Sequence, residues 1–386
     1  MSPFLRMRLR EWIRFVRWRS AVRCLVAERF VDVGVRCVAV AAGAAVAVAV
    51  GSGLSHVGSA SAARMPGMAT RYADGEEAPD VKTLLEDLRS DEQAQIDRAA
   101  MEFEKLGPRA ASAVPALAEI LDADRPESRR HVLAILRAIG PAAAPAVPSV
   151  RRKLTHADFH TQYWACRALG AVGPAAKDAA ADLRQLLGRD VVASVRRNAA
   201  LALGQIGPGI GAESIESLIA ALRDWSQPVR VEAALALGNL GKAGTPALPE
   251  LRLALNDARR AMKPAAAIAL WRITRQVEPL LPVLVRELEE GDLPSDAAAA
   301  FAAFGAEAAP AVPELVKLLD SVNPETRMSA MEALGHVGPP AAAARQRIAE
   351  LTRDSNEEIA EVAKAALEKL APIEQPPAAK ETGPAK

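Results

Sequence analysis

Large apolar residues recur along residues 80–371 with a period close to 33 residues. Each period ends at a boundary position, and successive boundaries are separated by 33, 33, 34, 34, 33, 31, 33 and 33 residues. The boundary positions are Gly107, Gly140, Gly173, Gly207, Gly241, Thr274, Gly305, Gly338 and Ala371. A spacing this constant predicts a tandem array of about nine similar units.

The apolar pattern inside each unit predicts two helices. Residues four and one before each boundary are large and apolar, which places both on one face of a second helix. The residues four before the boundaries are Phe103, Leu136, Leu169, Leu203, Leu237, Leu270, Phe301, Leu334 and Leu367. The residue five before is almost always Ala, which would let neighbouring helices approach closely.

Gly and Pro punctuate these helices at fixed places. The boundary Gly predicts a left-handed cap on the second helix. A Pro eight residues after five of the boundaries fits the first turn of the next helix, where its missing N–H would be unpaired anyway. Because one helix pair cannot bury its own apolar face, the units must stack. The predicted fold is therefore all-α, an α-solenoid over residues 80–371.

A short repeated string and an Asp in the inter-helix turn indicate a resemblance to a known family. The string GP-x-AA-x-AVP stands at Gly107 and Gly140, and a close variant stands at Gly305. An Asp in the inter-helix turn precedes a basic residue by six positions, as in Asp124/Arg130, Asp190/Arg196 and Asp224/Arg230. The chain therefore resembles a HEAT-repeat protein, of the short bacterial type also found in phycobilisome lyase-like repeats.

The resemblance implies a role for basic residues eleven positions before the boundaries. It implies that they pair between adjacent units as a structural ladder; they are Arg129, Arg196, Arg230, Lys263 and Arg327. The unit at 275–304 departs from the pattern, because it is shorter and has Pro294 in place of the basic residue. A local kink or loosened stacking is an open question there.

The residues before the array predict export. Residues 1–62 hold nine Arg and three acidic residues, a net charge of +6, and residues 37–50 have no polar side chain. A basic region, a short apolar stretch and Ala60-Ser61-Ala62 are typical of a secretory signal peptide. A retained membrane anchor, or an amphipathic helix on an anionic membrane, are the alternatives. Residues 63–79 are predicted to be a linker, and residues 372–386 a disordered Pro-rich tail.

Composition narrows the classes of partner and chemistry. Outside the leader the chain carries 39 basic and 44 acidic side chains, which disfavours general binding of nucleic acid. The apolar content of 50% excludes wholesale disorder. Cleavage near Ala62 would leave Cys166 as the sole cysteine. The expected orientation places the units outside the cytoplasm, with the membrane contacted through the N-terminal segment alone.

Candidate chemistry is sparse. His156, Asp158, His160 and Cys166 are metal-ligand types within one unit, although a polar turn beside a buried thiol explains them as well. No nucleotide-binding, hydrolase or metalloprotease motif occurs, and we expect no catalytic residue, metal or cofactor. The alternative function is a lyase-type or enzyme-associated repeat protein acting through Cys166.

Outward positions of the second helices are the candidate partner site. Counting ten, six and three residues before the boundaries gives basic side chains early in the array and acidic ones late, unless the sign merely varies along a solvated face. The candidates are Arg130, Arg137, Tyr163, Arg167, Arg197 and Trp271. In the family that this chain resembles, second helices line the concave surface. The expected function is a monomeric, non-catalytic scaffold that holds a protein or peptide there.

Overall fold

The computed structural model describes residues 80–188, 192–256, 262–291 and 294–370. Residues 1–79 and 371–386 lie outside this part of the chain. The predicted signal peptide or anchor, the linker at 63–79 and the tail at 372–386 therefore fall outside the described residues.

The described residues form alternating first and second helices and no strand. The first helices are α1 Val81–Asp87, α3 Val114–Asp122, α5 Val147–Arg152, α7 Ala180–Gly188, α9 Ala212–Ala221, α11 Leu248–Leu255, α13 Leu281–Glu290, α15 Val312–Leu318 and α17 Arg345–Leu351. The second helices are α2 Gln93–Leu106, α4 Pro126–Ile139, α6 Phe159–Val172, α8 Ala193–Ile206, α10 Gln227–Asn239, α12 Met262–Thr274, α14 Pro294–Phe304, α16 Pro324–Val337 and α18 Glu357–Leu370. This confirms the predicted all-α architecture.

The Ala-rich segments that begin at the boundary glycines fold as 3₁₀ turns, a detail that the sequence pattern did not predict. Five of them run for seven residues: Gly107–Ala113, Gly140–Ala146, Gly173–Ala179, Gly241–Ala247 and Gly305–Ala311. At the five boundaries that have a Pro eight residues later, this Pro is the second residue of the following α-helix, as Pro115 is in α3. Its missing N–H therefore leaves no intrahelical bond unmade.

The boundary Gly has a backbone conformation stricter than the predicted left-handed cap. Gly140 has φ +70° and ψ −134°, and its N–H donates to the Leu136 carbonyl. Positive φ was predicted correctly, but this ψ lies far from the left-handed helical region and is essentially confined to glycine. At the boundary without a glycine, Thr274, the positive φ moves to Arg275 (+59°).

The core lies between first and second helices and runs continuously along the described units. The predicted positions four before the boundaries are buried from Phe103 to Leu334. Leu367 is the exception: it is half-buried. The prediction was wrong there because α18 is the last second helix of the described residues, so none of them stacks on its far side.

Consecutive second helices approach closely through Gly and Ala. A Cβ placed on Gly204 of α8 would lie 2.7 Å from the Ala236 Cα of α10, and one on Gly238 would lie 2.8 Å from the Ala269 Cα of α12. These distances are shorter than any real Cβ contact. The Ala five residues before the boundary therefore serves close helix packing, as predicted.

Stacking continues through the irregular unit at 275–304. Its second helix, α14, has 11 residues where most have 13 or 14, yet it packs against both α12 and α16.

Two described stretches, Pro126–Thr155 and Pro294–Leu318, are long and apolar enough to cross a membrane by composition. Each joins a second helix to the next first helix through a 3₁₀ turn and contributes to the repeat core.

Candidate functional site

Salt bridges link adjacent units on the side of the inter-helix turns. The Arg196 guanidinium of α8 donates two hydrogen bonds, of 2.8 and 2.9 Å, to the Asp224 carboxylate in the next unit. Burial opposes ionisation of Asp224, but the hydrogen bonds from Arg196 and from the Ser226 N–H hold its pKa below the ordinary value. Lys263 and Glu287 form an equivalent pair, with 2.5 Å between Nζ and Oε1.

The ladder implied by the resemblance is therefore partly confirmed and partly corrected. Arg327 approaches Asp354 of the next unit at 4.0 Å and also donates to carbonyls of its own turn. Arg129 instead pairs with Asp124 inside its own unit, at 3.1 Å. Arg230 donates to the main-chain carbonyls of residues 224 and 225 rather than to a carboxylate.

The Asp/basic spacing of six residues does not correspond to a contact within a unit. The Asp124 carboxylate accepts from Arg129 and from Lys153 of the next unit, and Arg130, six positions after Asp124, is exposed. The reason is geometric, since six residues carry Arg130 around α4 to the outward side. Asp190 lies outside the described residues, and Arg196 makes its pair with Asp224.

Four of the side chains on α4 and α6 form an arginine–aromatic cluster: Arg137, Tyr163, Trp164 and Arg167. The Arg137 guanidinium carbon lies 5.8 Å from the Trp164 ring centroid, and that of Arg167 lies 5.7 Å from the Tyr163 centroid. The two rings meet edge to face at 5.4 Å. The structure therefore brings Arg137 of one unit against the aromatic pair of the next.

Both guanidinium groups of the cluster keep hydrogen-bonding capacity. Among the described residues, no acceptor satisfies the buried Nε atom of Arg137 or of Arg167. Arg167 makes one long contact, 3.5 Å from its Nη1 to the Asn198 Oδ1 in the next unit. At these distances each guanidinium is within cation–π range of its ring, an attraction that uses none of the N–H groups as hydrogen-bond donors.

Arg197 and Trp271 contact other side chains of this chain, which the sequence pattern did not predict. The Arg197 side chain is 55% exposed, but its Nε lies 3.2 Å from Oε2 of the buried Glu232 in the next unit. Burial raises the pKa of Glu232 despite the opposing charges of Arg197 and Arg167. The Trp271 Nε1 donates to Glu307 at 2.7 Å, and Arg275 covers its ring.

One part of the outward-face prediction is wrong. The position three before the boundary was expected to point away from the core, yet it is a buried glycine in four units: Gly170, Gly204, Gly238 and Gly335. It faces the second helix of the following unit. For that reason Arg137 and Trp271, which hold the same position, lean onto the next unit.

An apolar floor in the middle of the array was missed by the sequence reasoning. At the offsets ten, six and three before the boundaries, α8 to α12 present half-buried apolar side chains: Leu201, Val231, Leu235, Ile268 and Trp271. The signal was available, because these residues follow the same offsets as the arginines.

At the C-terminal end of the array the acidic residues Glu332, Glu361 and Glu368 are exposed, whereas Asp292 lies outside the described residues. The side chain of Trp225, 76% exposed in the turn before α10, was also overlooked.

In the group of candidate metal ligands, His156 and Asp158 make local hydrogen bonds, and Cys166 is buried. The Asp158 carboxylate caps α6 by accepting from the His160 and Thr161 N–H groups, and His156 Nδ1 accepts from the Asp158 N–H. Cys166 is fully buried, and burial raises the pKa of its thiol to about 12. Within the described residues, no three His, Cys, Asp or Glu side chains converge as a metal site would require.

Comparison with known families agrees with the helix pairs and their junctions. A family model described as HEAT repeats matches residues 114–204 and 147–237, and one described as PBS lyase HEAT-like repeat matches residues 229–257. The chain contains HEAT repeats. Its HEAT repeats matched in this way include the arginine–aromatic cluster and the first part of the apolar floor.

Other comparisons add little about function. No curated protein matches this chain. The crystal structure of an engineered protein is similar at 24% sequence identity and a TM-score of 0.41, with 75% of this chain and 88% of that chain covered.

Proposed function

We propose that this chain, with its HEAT repeats, is a non-catalytic scaffold that holds a protein segment on its second-helix face, the outward surface of α2 to α18. The observation that carries the proposal is the arginine–aromatic cluster, whose guanidinium groups lie within cation–π range of the rings and keep unpaired donors. The Nε atoms themselves are buried, but both side chains are only half-buried, so the outer N–H groups of Arg137 and Arg167 can donate to an incoming acceptor. Repeat arrays commonly use such extended faces for binding.

The physical chemistry of Cys166 speaks against the lyase-type alternative. A nucleophilic cysteine must be accessible and ionised near neutral pH. Cys166 is buried in α6, and its thiol has a pKa of about 12. The PBS lyase HEAT-like match covers residues 229–257 and does not include Cys166. We therefore include absence of catalysis in the proposed function.

The proposed function also includes export of the repeats from the cytoplasm. The basic leader with its short apolar stretch supports an extracytoplasmic location, reached by a cleaved signal or held by an anchor. We propose a monomer, because the second-helix face is then free to meet a different protein. The mildly acidic body disfavours nucleic acid as that partner.

Selection of displayed random peptides on the immobilised full chain tests the function. A scaffold that holds protein segments should retain peptides of related sequence that compete with one another in solution. The bound chain should catalyse no change in them, as followed by mass spectrometry. Failure to retain any peptide above an unrelated helical protein, or chemical conversion of a retained peptide, would contradict the proposal.

A further inference from the structure

The two clustered arginines differ from the arginines that join neighbouring units through salt bridges. Arg196, Arg223 and Arg347 each meet a carboxylate of a neighbouring helix or turn. By contrast, Arg137 makes no hydrogen bond among the described residues, and Arg167 makes only its long contact with Asn198. Their N–H donors are therefore not used in salt bridges between units and can bind an anion.

The surroundings of the cluster restrict the anion to a short one. On the N-terminal side, α2 carries Asp97 and Glu104 at the offsets ten and three before its boundary. On the C-terminal side, the buried Glu232 lies close enough to influence Arg167 and Arg197. A long polyanion would meet these carboxylates on both sides, whereas one or two carboxylates of a peptide would not. Planar guanidinium groups match a carboxylate in two parallel hydrogen bonds.

The apolar floor begins where the charged cluster ends. Leu201 follows on α8, and Val231 and Leu235 follow on α10. Gly204 and Gly238 bring these helices close together, so the apolar side chains form neighbouring rows. Such a surface stabilises aliphatic side chains of a partner by removing apolar area from water on both sides.

We propose that the second-helix face from α4 to α12 is a two-part site for a segment of a partner protein. The arginine–aromatic cluster receives one or two acidic side chains of the segment, and the apolar floor receives the aliphatic side chains that come next to them. The assignment rests on the proposed scaffold function and specifies its ligand. Helices spaced about 10 Å apart give the site a length of about 40 Å, which an extended chain of about 12 residues spans.

The experiment uses the peptides selected on the full chain, with their affinities measured by fluorescence anisotropy. The enriched sequences should combine an acidic end with aliphatic residues. Arg137→Gln together with Arg167→Gln should weaken binding about tenfold or more, because charge-assisted hydrogen bonds are lost. Replacement of the peptide's Glu and Asp by Gln and Asn should have a similar effect on the wild-type chain and little further effect on the double variant.

Two other variants complete the design. Leu201→Gln should weaken binding through the floor without changing its dependence on salt. Arg252→Gln together with Arg286→Gln is the matched control: it removes the same charge from exposed arginines on the first helices α11 and α13, and should leave affinity unchanged. If the cluster variant does not fold by circular dichroism, Arg130→Gln replaces it, since Arg130 is exposed beside the cluster and should still weaken acidic peptides.

The outcomes separate this proposal from the function on which it rests. Selected peptides that lack acidic residues, or that bind the cluster variant as tightly as the wild type, would overturn the two-part site while leaving a peptide-binding scaffold. A random single-stranded oligonucleotide that bound as tightly as the peptides, and was lost in the same variant, would overturn it in favour of a nucleic-acid site. No retained peptide at all would remove both proposals.

Discussion

Charged side chains that are buried in this chain lie at the junctions between units. Arg196 and Glu287 each meet a partner from an adjacent repeat, and so does Glu232. Burial without these partners would be costly, so each junction specifies which unit follows which. The same contacts limit mutagenesis, because Arg197→Glu would place a second carboxylate against Glu232.

The buried Glu232 predicts a defined dependence of stability on pH. Its pKa in the folded chain is raised above the ordinary 4.5, so the folded state holds this proton more tightly than the unfolded state does. Relative to Glu232→Gln, the wild type should therefore be most stable below pH 4.5 and lose that advantage as the pH rises through the folded pKa. Urea unfolding of both proteins between pH 4 and 7 measures this, and an advantage that grows with pH would refute it.

Cys166 predicts slow modification. Because its thiol is buried with a pKa of about 12, it should resist alkylation at pH 7 in the folded chain and react in denaturant. Peptide mapping by mass spectrometry separates Cys166 from Cys24 and Cys37. Labelling of native Cys166 as fast as that of a free thiol would restore the lyase-type alternative.

At the scale of helices, small residues set the distance between neighbouring units. Gly204→Ala adds a methyl group only 2.7 Å from the Ala236 Cα, so α8 and α10 must move apart. We expect this variant to lose about 1–3 kcal/mol of unfolding free energy, although Ala favours an isolated helix. Gly188→Ala is the matched control, since no atom lies within 4 Å of its added Cβ, and it should be neutral or slightly stabilising. Equal stability of the two variants would contradict the close packing.

Most of the helical architecture was predictable because it is local. The apolar spacing predicts the second helices. A Pro such as the one in α3 marks the start of a first helix, and the boundary Gly marks the end of a second helix. The 3₁₀ turns escaped because Ala-rich segments that begin with a Gly are equally compatible with a loop. The ψ of the boundary glycine depends on how the chain must re-enter the next unit, which the spacing does not contain.

The candidate site was predictable only in part, because its contacts cross between units. Offsets along one helix correctly placed Arg130 and Arg197 at the surface. They did not reveal that Arg137 reaches Trp164, or that Glu232 pairs with Arg197, since both depend on the rotation between neighbouring repeats. That rotation is set by close contacts such as Gly204 on Ala236.

The array as a whole should behave as a chain of coupled neighbours. Leu203→Ala empties a fully buried position in α8 and should cost about 2–5 kcal/mol, whereas Leu201→Ala on the outward side should cost about 1 kcal/mol or less. Because α8 packs against α6 and α10, hydrogen exchange should accelerate in both of them as well. Acceleration confined to α8 would show that the units are not coupled.

Export can be tested on the whole chain. Expressed with its leader in a bacterium, residues 80–371 should be digested by protease added to intact spheroplasts, while a cytoplasmic marker is protected. Full protection of the repeats would refute the extracytoplasmic location and leave the binding proposal intact.

Site-specific photo-crosslinking tests the central claim, that the second-helix face holds the partner segment. A photoreactive amino acid replaces Leu201 on α8 in one version of the full chain and Arg286 on the first helix α13 in another. With a peptide from the selection, the account predicts strong crosslinking at position 201, lost on competition with unlabelled peptide, and background at position 286. Equal or stronger crosslinking at position 286 would contradict it.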